Sequence, residues 1–95
     1  MYSNSLKNKN VIITGSNKGI GKATVEEFAK NGANVFACAR TIANDFKKYI
    51  ENLKKQHNVK IHIIKLDLAD KSSILKCVEE IYEIEKNIDI LVNNA

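Results

Sequence analysis

Proline is absent from the 95-residue sequence, as are low-complexity stretches and blocks of like charge. Nothing therefore marks a domain boundary, and we expect one domain over residues 1–95. The chain also lacks the run of about eighteen apolar residues that a membrane helix needs. Its N-terminal lysines are followed only by Val11, Ile12 and Ile13, a stretch too short for a secretory signal. These absences predict a soluble, cytoplasmic protein that does not bind membranes.

Cysteine and histidine are scarce, with two of each. Cys38 and Cys77 each lie in an apolar run, where a thiol behaves as a small hydrophobic group, and we expect no structural disulfide. His57 and His62 have no second ligand at metal-binding spacing, so the sequence predicts no metal site.

Arginine is limited to Arg40, and the net charge of +4 comes mainly from lysines scattered along the chain. No arginine-rich stripe with interleaved aromatic residues is present. Solvated helix faces account for this charge, and we expect no binding of nucleic acid.

Apolar segments alternate with amphipathic ones along the chain. Four strands are predicted, at Asn10–Thr14, Asn34–Ala39, Lys60–Leu66 and Asp89–Asn93. The first, second and fourth are nearly continuous in apolar residues, as burial on both faces of a parallel sheet requires. The alternation predicts an α/β fold with a doubly wound, Rossmann-like parallel sheet.

Three amphipathic helices are expected between these strands. Gly32 ends the first helix as a left-handed cap, and Asp70 caps the start of the third. The apolar stripes consist of Gly21, Val25, Phe28 and Ala29 in the first helix, Ile42, Phe46, Tyr49, Ile50 and Leu53 in the second, and Ile74, Cys77, Val78, Ile81 and Ile84 in the third.

A glycine-rich segment, TGSNKGIG, follows the first strand and leads into the first helix. A doubly wound fold binds a dinucleotide at this position. Gly15 permits a sharp turn off the strand, while Gly19 and Gly21 allow the backbone to approach a pyrophosphate and the helix to pack on the strand. The helix start then offers free N–H groups to the anion.

Two other glycine motifs fit this segment poorly. The pattern GxGxxG fails because Asn17 and Thr24 occupy positions that it requires to be glycine. The nucleoside-triphosphate loop GxxxxGK[ST] fails at Ser16 and Ala23, although Asp67 could serve as its magnesium-side carboxylate.

The segment matches TGxxxGxG, and with two further motifs it resembles the short-chain dehydrogenase/reductase family. The stretch LKNKNVIITGSNKGIGKA resembles the opening of the 3-oxoacyl-acyl-carrier-protein reductases within that family. Asp67 and Leu68 are similar to the pair that contacts adenine. The ending LVNNA is similar to the family's NNAG motif without its glycine.

The resemblance implies a set of cofactor-binding residues. Asp67 and Leu68 are expected beside the adenine, with Asp67 alternatively a turn residue before the third helix. Asn94 and Ala95 are expected along the cofactor, and one asparagine is expected to tie the fourth strand to its neighbour; Asn93 is alternatively purely structural. Around the pyrophosphate and the adjacent ribose, the expected residues are Gly15, Ser16, Asn17, Lys18, Gly19, Ile20 and Gly21.

The residue after the second strand predicts which nicotinamide cofactor binds. A carboxylate there would bind the ribose 2′-hydroxyl of NAD and repel a 2′-phosphate. This chain has Arg40, whose guanidinium can bind phosphate through two hydrogen bonds. The resemblance implies that Lys18 is a second basic contact, so we predict NADP(H), with Arg40 as a solvated strand-end residue being the alternative.

No catalytic residue is predicted within the chain. The resemblance implies a serine and a tyrosine–lysine pair, and these follow the fourth strand, beyond Ala95. Tyr82 and Lys86 fit YxxxK, but they precede the NNA motif and are expected on a helix far from the nicotinamide. The predicted sheet order is 3-2-1-4, truncated after the fourth strand, so a fragment, a truncated reading frame and a chain completed by another polypeptide all remain open.

The leading hypothesis is the cofactor-binding part of an NADPH-dependent carbonyl reductase acting on a ketone or a 3-oxoacyl thioester. The family resemblance implies that full-length members are homo-oligomers. The alternatives are a catalytically inactive nucleotide-binding module and a fragment that does not fold stably.

Overall fold

A computed structural model describes residues 5–94 of the chain. Three helices alternate with four strands within this part, and each predicted strand is present at the same length or up to two residues shorter. In chain order the elements are β1 (Asn10–Ile13), α1 (Gly19–Lys30), β2 (Asn34–Ala39), α2 (Asn44–His57), β3 (Ile61–Lys65), α3 (Lys71–Ile84) and β4 (Ile90–Val92).

The four strands form one parallel sheet in the order β3-β2-β1-β4, which confirms the predicted order. The central strand β1 pairs with two neighbours, so that Val11 lies opposite Val35 on one side and Ile90 on the other. Because all strands are parallel, their carboxyl ends meet at one edge of the sheet. The loops that follow β1, β2, β3 and β4 therefore lie close together.

Helices cover both faces of the sheet, as a doubly wound fold requires. Val35 and Ala37 of β2 point toward α1 and α2, where Val25, Ala29, Phe46, Ile50 and Leu53 complete the larger core. The alternate residues Phe36 and Cys38 point the other way, toward Cys77 and Ile81 of α3. Side chains of successive strand residues thus supply two cores from one strand.

Two predicted helix ends are confirmed. Gly32 has a φ of 89°, the left-handed conformation expected after α1. The carboxylate of Asp70 accepts a hydrogen bond from the N–H of Ser72 at 3.0 Å, and its hydrogen bonds to Ser72 hold the pKa of Asp70 below its usual value. Asp70 therefore caps α3 as the sequence predicted.

The predicted apolar stripes need three corrections. Ile42 packs against the larger core but lies before α2, which starts at Asn44. Val78 and Ile84 lie in α3 but are 59% and 46% exposed. Within residues 5–94, α3 is the sole helix on its face of the sheet, so the flanks of its stripe have no neighbouring helix to contact.

The two cysteines meet in the smaller core, where their Sγ atoms are 4.0 Å apart. Both are free thiols, and burial raises the pKa of Cys38 far above its ordinary range. No helix within residues 5–94 has the length and hydropathy needed to span a membrane.

Candidate cofactor-binding site

A cavity of about 510 Å³ opens at the carboxyl edge of the sheet. Loops that follow all four strands contribute to its wall, which is where a doubly wound sheet binds its ligand. Its lining residues are Thr14, Gly15, Asn17, Lys18, Arg40, Leu66, Asp67, Leu68, Ala69 and Asn94.

Close backbone contacts explain two of the glycines beside this cavity. Gly15 has a φ of 59°, and a β-carbon there would lie 2.8 Å from the carbonyl oxygen of Asn94. A β-carbon on Gly21 would lie 1.8 Å from the carbonyl oxygen of Gly15. Gly19 differs, because it has free space around it but adopts a φ of 55° that favours glycine.

The start of α1 is left open toward an anion. Lys18 occupies the capping position in an extended conformation without a side-chain hydrogen bond to the helix, and the first turn contains no acidic residue. The first N–H groups of a helix have no partner inside the helix, and they carry its positive dipole end. A phosphate group suits this position, next to the exposed side chain of Ile20.

The side chain of Ser16 is buried and turned into the protein. Its hydroxyl donates to the carbonyl of Ile13 at 2.6 Å, and its N–H donates to the carbonyl of Cys38 at 3.0 Å. Both donors are therefore already used, and Ser16 does not line the cavity. These hydrogen bonds give Ser16 a structural role, because they hold the glycine loop against β2. The expectation that Ser16 also borders the pyrophosphate stays a prediction.

Two cations line the cavity. Arg40 directly follows β2, and Lys18 belongs to the glycine loop; both are exposed, and neither forms an ion pair within the described chain. The side-chain amide of Asn17 donates to the carbonyl of Thr41 at 3.1 Å, which joins the glycine loop to the segment that carries Arg40. The structure thus brings together two basic residues that are 22 positions apart in the sequence.

Asp67 both shapes a turn and lines the cavity. Its carboxylate accepts from the N–H of Ala69 at 3.0 Å, and its own N–H donates to the hydroxyl of Ser73 at 2.9 Å. These bonds fit the alternative of a turn residue before α3. Leu68, which is 49% exposed, extends the apolar part of the wall beside it.

Thr14 connects the ends of β1 and β4. Its hydroxyl donates to Oδ1 of Asn93 at 3.0 Å and accepts from the N–H of Asn94 at 2.9 Å. The expected asparagine tie between the fourth strand and its neighbour is thereby present. The Nδ2 atom of Asn94 is buried and has no hydrogen-bond partner within residues 5–94, and Asn94 lines the cavity.

Sequence reasoning missed Thr14, Leu66 and Ala69, which line the cavity. Thr14 is the first residue of the TGxxxGxG motif, and Leu66 and Ala69 flank the pair Asp67 and Leu68. Their places in or beside the recognised motifs were the available signal. In contrast, Gly19, Ile20 and Gly21 do not line it and border it only through the start of α1. Ala95 lies outside the described residues.

The YxxxK pair is remote from the cavity, as expected. Tyr82 lies on α3 beside an apolar groove that Ile12 and Val78 also line. The expectation that both residues lie on a helix is wrong for Lys86, because α3 ends at Ile84. The Nζ of Lys86 lies 5.2 Å from the centre of the Tyr82 ring.

Comparison with known proteins shows which family model the chain matches. Residues 9–95 match the family model described as short chain dehydrogenase. The chain is 39% identical over 90 residues to 3-oxoacyl-[acyl-carrier-protein] reductase of Aquifex aeolicus, covering 95% of this chain and 36% of that protein. It is also 39% identical over 90 residues to retinol dehydrogenase 12 of Homo sapiens, covering 95% of this chain and 28% of that protein.

Among solved structures, L-sorbose reductase of Gluconobacter frateurii, crystallised with NADPH and L-sorbose, superposes with a TM-score of 0.86 at 34% identity. The match covers 97% of this chain and 35% of that one. The chain therefore spans about a third of the length of the relatives that it matches.

Proposed function

The chain belongs to the short-chain dehydrogenase family, and we propose that it is the NADP(H)-binding part of a carbonyl reductase. Residues 1–95 are then the N-terminal part of a Rossmann domain. The observation that carries the proposal is that Arg40 and Lys18 line one cavity beside the open start of α1.

The charge around the end of β2 favours the phosphorylated cofactor. Arg40 stands where an NAD-binding fold places a carboxylate for the ribose 2′-hydroxyl. Its guanidinium and the ammonium of Lys18 each offer a charge-assisted hydrogen bond worth about 1.5–3 kcal/mol. Since about 1.4 kcal/mol corresponds to tenfold in affinity, the pair favours NADPH over NADH by about a hundredfold or more.

The rest of the cavity suits a dinucleotide. The backbone at Gly15 has no room for a side chain, the start of α1 presents free N–H groups to a pyrophosphate, and Asn94 offers a buried Nδ2 that lacks an acceptor within residues 5–94. Leu66 and Leu68 provide apolar contact for an adenine ring. When bound, the nicotinamide supplies the hydride; the residues of this chain bind and orient the cofactor.

The proposed substrate is a small molecule with a ketone or a 3-oxoacyl thioester. Relatives named for a 3-oxoacyl-[acyl-carrier-protein], for retinol and for L-sorbose support a carbonyl or alcohol group but differ in everything around it. We propose that the residues that protonate the substrate oxygen lie outside residues 1–95, that this chain alone is inactive, and that the whole protein is a homo-oligomer.

A titration of the purified chain with NADPH and NADH, followed by nicotinamide fluorescence, tests the proposal. We expect saturable binding of NADPH, about a hundredfold or more tighter than that of NADH, without competition from magnesium ATP. Equal affinities for the two dinucleotides would overturn the assignment to NADP(H). Displacement by magnesium ATP would instead indicate a triphosphate site.

A second candidate function is a nucleotide-binding module without chemistry. The observation that favours it is that the cavity wall contains no tyrosine within residues 5–94, and that Tyr82 lies elsewhere. An assay of NADPH oxidation with an acetoacetyl thioester, using the chain with its reading frame extended past Ala95, distinguishes the two. Turnover supports the reductase, whereas binding without turnover supports the module.

A further inference from the structure

We propose that Lys65 is a specificity-determining residue that positions Arg40 for the 2′-phosphate of NADP(H). The inference rests on the proposed function and assigns a role to a residue that belongs to none of the recognised motifs. Lys65 is the last residue of β3, the strand at the edge of the sheet next to β2.

The first step concerns the backbone where β2 ends. The last hydrogen bond between β2 and the segment of β3 runs from the N–H of Leu66 to the carbonyl of Ala39 at 2.9 Å. Arg40 and Thr41 come after this bond, in an exposed segment before α2. Without further support, a segment of this kind adopts many conformations, and an arginine on it samples many positions.

Side chains hold the next two carbonyl groups. Nζ of Lys65 donates to the carbonyl oxygen of Arg40 at 2.8 Å. Nδ2 of Asn17 donates to the carbonyl oxygen of Thr41 at 3.1 Å. The backbone at Arg40 is thus fixed from β3 on one side and from the glycine loop on the other.

The position of Lys65 argues against a direct contact with the cofactor. Lys65 does not line the cofactor cavity, whereas Arg40, Lys18 and Asn17 do. Its hydrogen bond goes to the backbone carbonyl of Arg40, and so its removal leaves the guanidinium in place but less restrained. Because a preorganised guanidinium loses less freedom when it forms two hydrogen bonds to a phosphate, Lys65 acts on the phosphorylated cofactor through Arg40.

The substitution Lys65→Met tests this role, because it keeps much of the side-chain length and removes the donor. We expect the dissociation constant for NADPH to rise by about five- to tenfold, the effect of losing one supporting hydrogen bond. The dissociation constant for NADH should change by less than about twofold, since NADH has a neutral hydroxyl at the 2′-position instead of a phosphate. Adenosine 2′,5′-bisphosphate should lose affinity in parallel with NADPH, and adenosine 5′-monophosphate should not.

The matched control is Lys60→Met, just before the opposite end of β3, which makes the same change in net charge. It should leave both dissociation constants unchanged. Lys65→Arg, which retains a cationic donor, should restore most of the preference for NADPH. Far-ultraviolet circular dichroism verifies that each variant is folded.

A double-mutant cycle with Arg40→Ala separates positioning from direct contact. If Lys65 acts through Arg40, adding Lys65→Met to Arg40→Ala causes no further loss of NADPH affinity. Additive losses would overturn the positioning role and make Lys65 an independent phosphate contact. Full retention of the NADPH preference in Lys65→Met would also overturn it, whereas a wild-type chain with no such preference would refute the proposed function itself.

Discussion

Gly21 at the start of α1 packs directly against the carbonyl of Gly15, so closely that a β-carbon at residue 21 would lie 1.8 Å from that oxygen. The first turn of the helix and the turn off β1 therefore share one contact. The shape of the cofactor loop depends on the absence of a side chain there.

The substitution Gly21→Ala should displace the loop, because a backbone oxygen cannot yield as a flexible side chain can. We expect at least about a tenfold loss of NADPH affinity and a loss of about 1–3 kcal/mol in the free energy of unfolding, as for overpacked sites. Fluorescence titration and urea denaturation measure the two effects.

Gly19 provides the matched control, since its surroundings are open and only its φ of 55° restricts it. Gly19→Asn should cost less stability than Gly21→Ala, because asparagine tolerates the left-handed conformation. Equal losses from both substitutions would contradict the close-contact explanation.

Arg40→Asp should reverse the preference between cofactors. The carboxylate repels a 2′-phosphate and accepts a hydrogen bond from a 2′-hydroxyl. NADPH affinity should fall by about a hundredfold or more, while NADH affinity should be retained or rise. Measured dissociation constants for both dinucleotides check this prediction. Equal losses of affinity for NADPH and NADH would show that Arg40 does not bind the 2′-phosphate.

Substitutions of Asn93 and Asn94 should have different effects, the first on the stability of the fold and the second on the binding of NADPH. The Oδ1 of Asn93 accepts from the buried hydroxyl of Thr14, so Asn93→Ala should lower the free energy of unfolding by about 1 kcal/mol. The Nδ2 of Asn94 is buried without a partner within residues 5–94. Asn94→Ala should therefore cost little stability but weaken NADPH about three- to tenfold, the value of one hydrogen bond.

Thermal denaturation with and without NADPH distinguishes the two asparagines. Asn93→Ala should lower the melting temperature in both conditions. Asn94→Ala should reduce mainly the increase that NADPH produces. If Asn94→Ala destabilised the free chain as much as Asn93→Ala, its Nδ2 would have a structural partner after all.

The hydrogen bond from the Tyr49 hydroxyl to Glu26, at 2.7 Å, should make stability depend on pH at both extremes. The hydrogen bond from Tyr49, followed by the one from Lys30, lowers the pKa of Glu26 below its ordinary value of 4.5. Its contribution is therefore present above pH 4.5 and lost as the pH falls through the lowered pKa of the folded state.

The pKa of Tyr49 shifts in the opposite direction. Burial, followed by the hydrogen bond to Glu26, raises the pKa of Tyr49 from 10.0 to about 12. The contribution of Tyr49 to stability is therefore fully present below pH 10 and is lost as the pH rises from 10 to about 12. For Tyr49→Phe, urea denaturation should show a free energy of unfolding that depends less on pH at both extremes and is lower by about 1 kcal/mol near neutrality. An unchanged pH dependence on the acid side would contradict the coupling to Glu26.

Much of the fold was predictable because its signals are local. Continuous apolar strands, helical stripes and the caps at Gly32 and Asp70 are each read from a short stretch of sequence. The exposure of Val78 and Ile84 was not predictable, because a stripe shows which side of a helix is apolar but not how much of that side the sheet covers.

The candidate site was predicted unevenly for a similar reason. Glycine spacing and the position of Arg40 after a strand are sequence features, and both lead to the cavity that the structure contains. The inward orientation of Ser16 and the separate roles of Asn93 and Asn94 depend on partners that the motif does not specify. A motif identifies which residues are near a ligand, whereas the direction of each side chain is set by packing.

By itself, the sequence determined the alternation of strands and helices, the turn at the glycines and the basic residue at the end of β2, because these follow from apolar periodicity and from backbone freedom along a few residues. Only the tertiary structure decided that Thr14 holds Asn94, 80 positions away, that Cys38 meets Cys77, and that Lys65 supports Arg40. These contacts join residues that are distant in the chain. The first and the last exist because parallel pairing brings the ends of neighbouring strands side by side, and the cysteines meet because α3 packs on the face of the sheet.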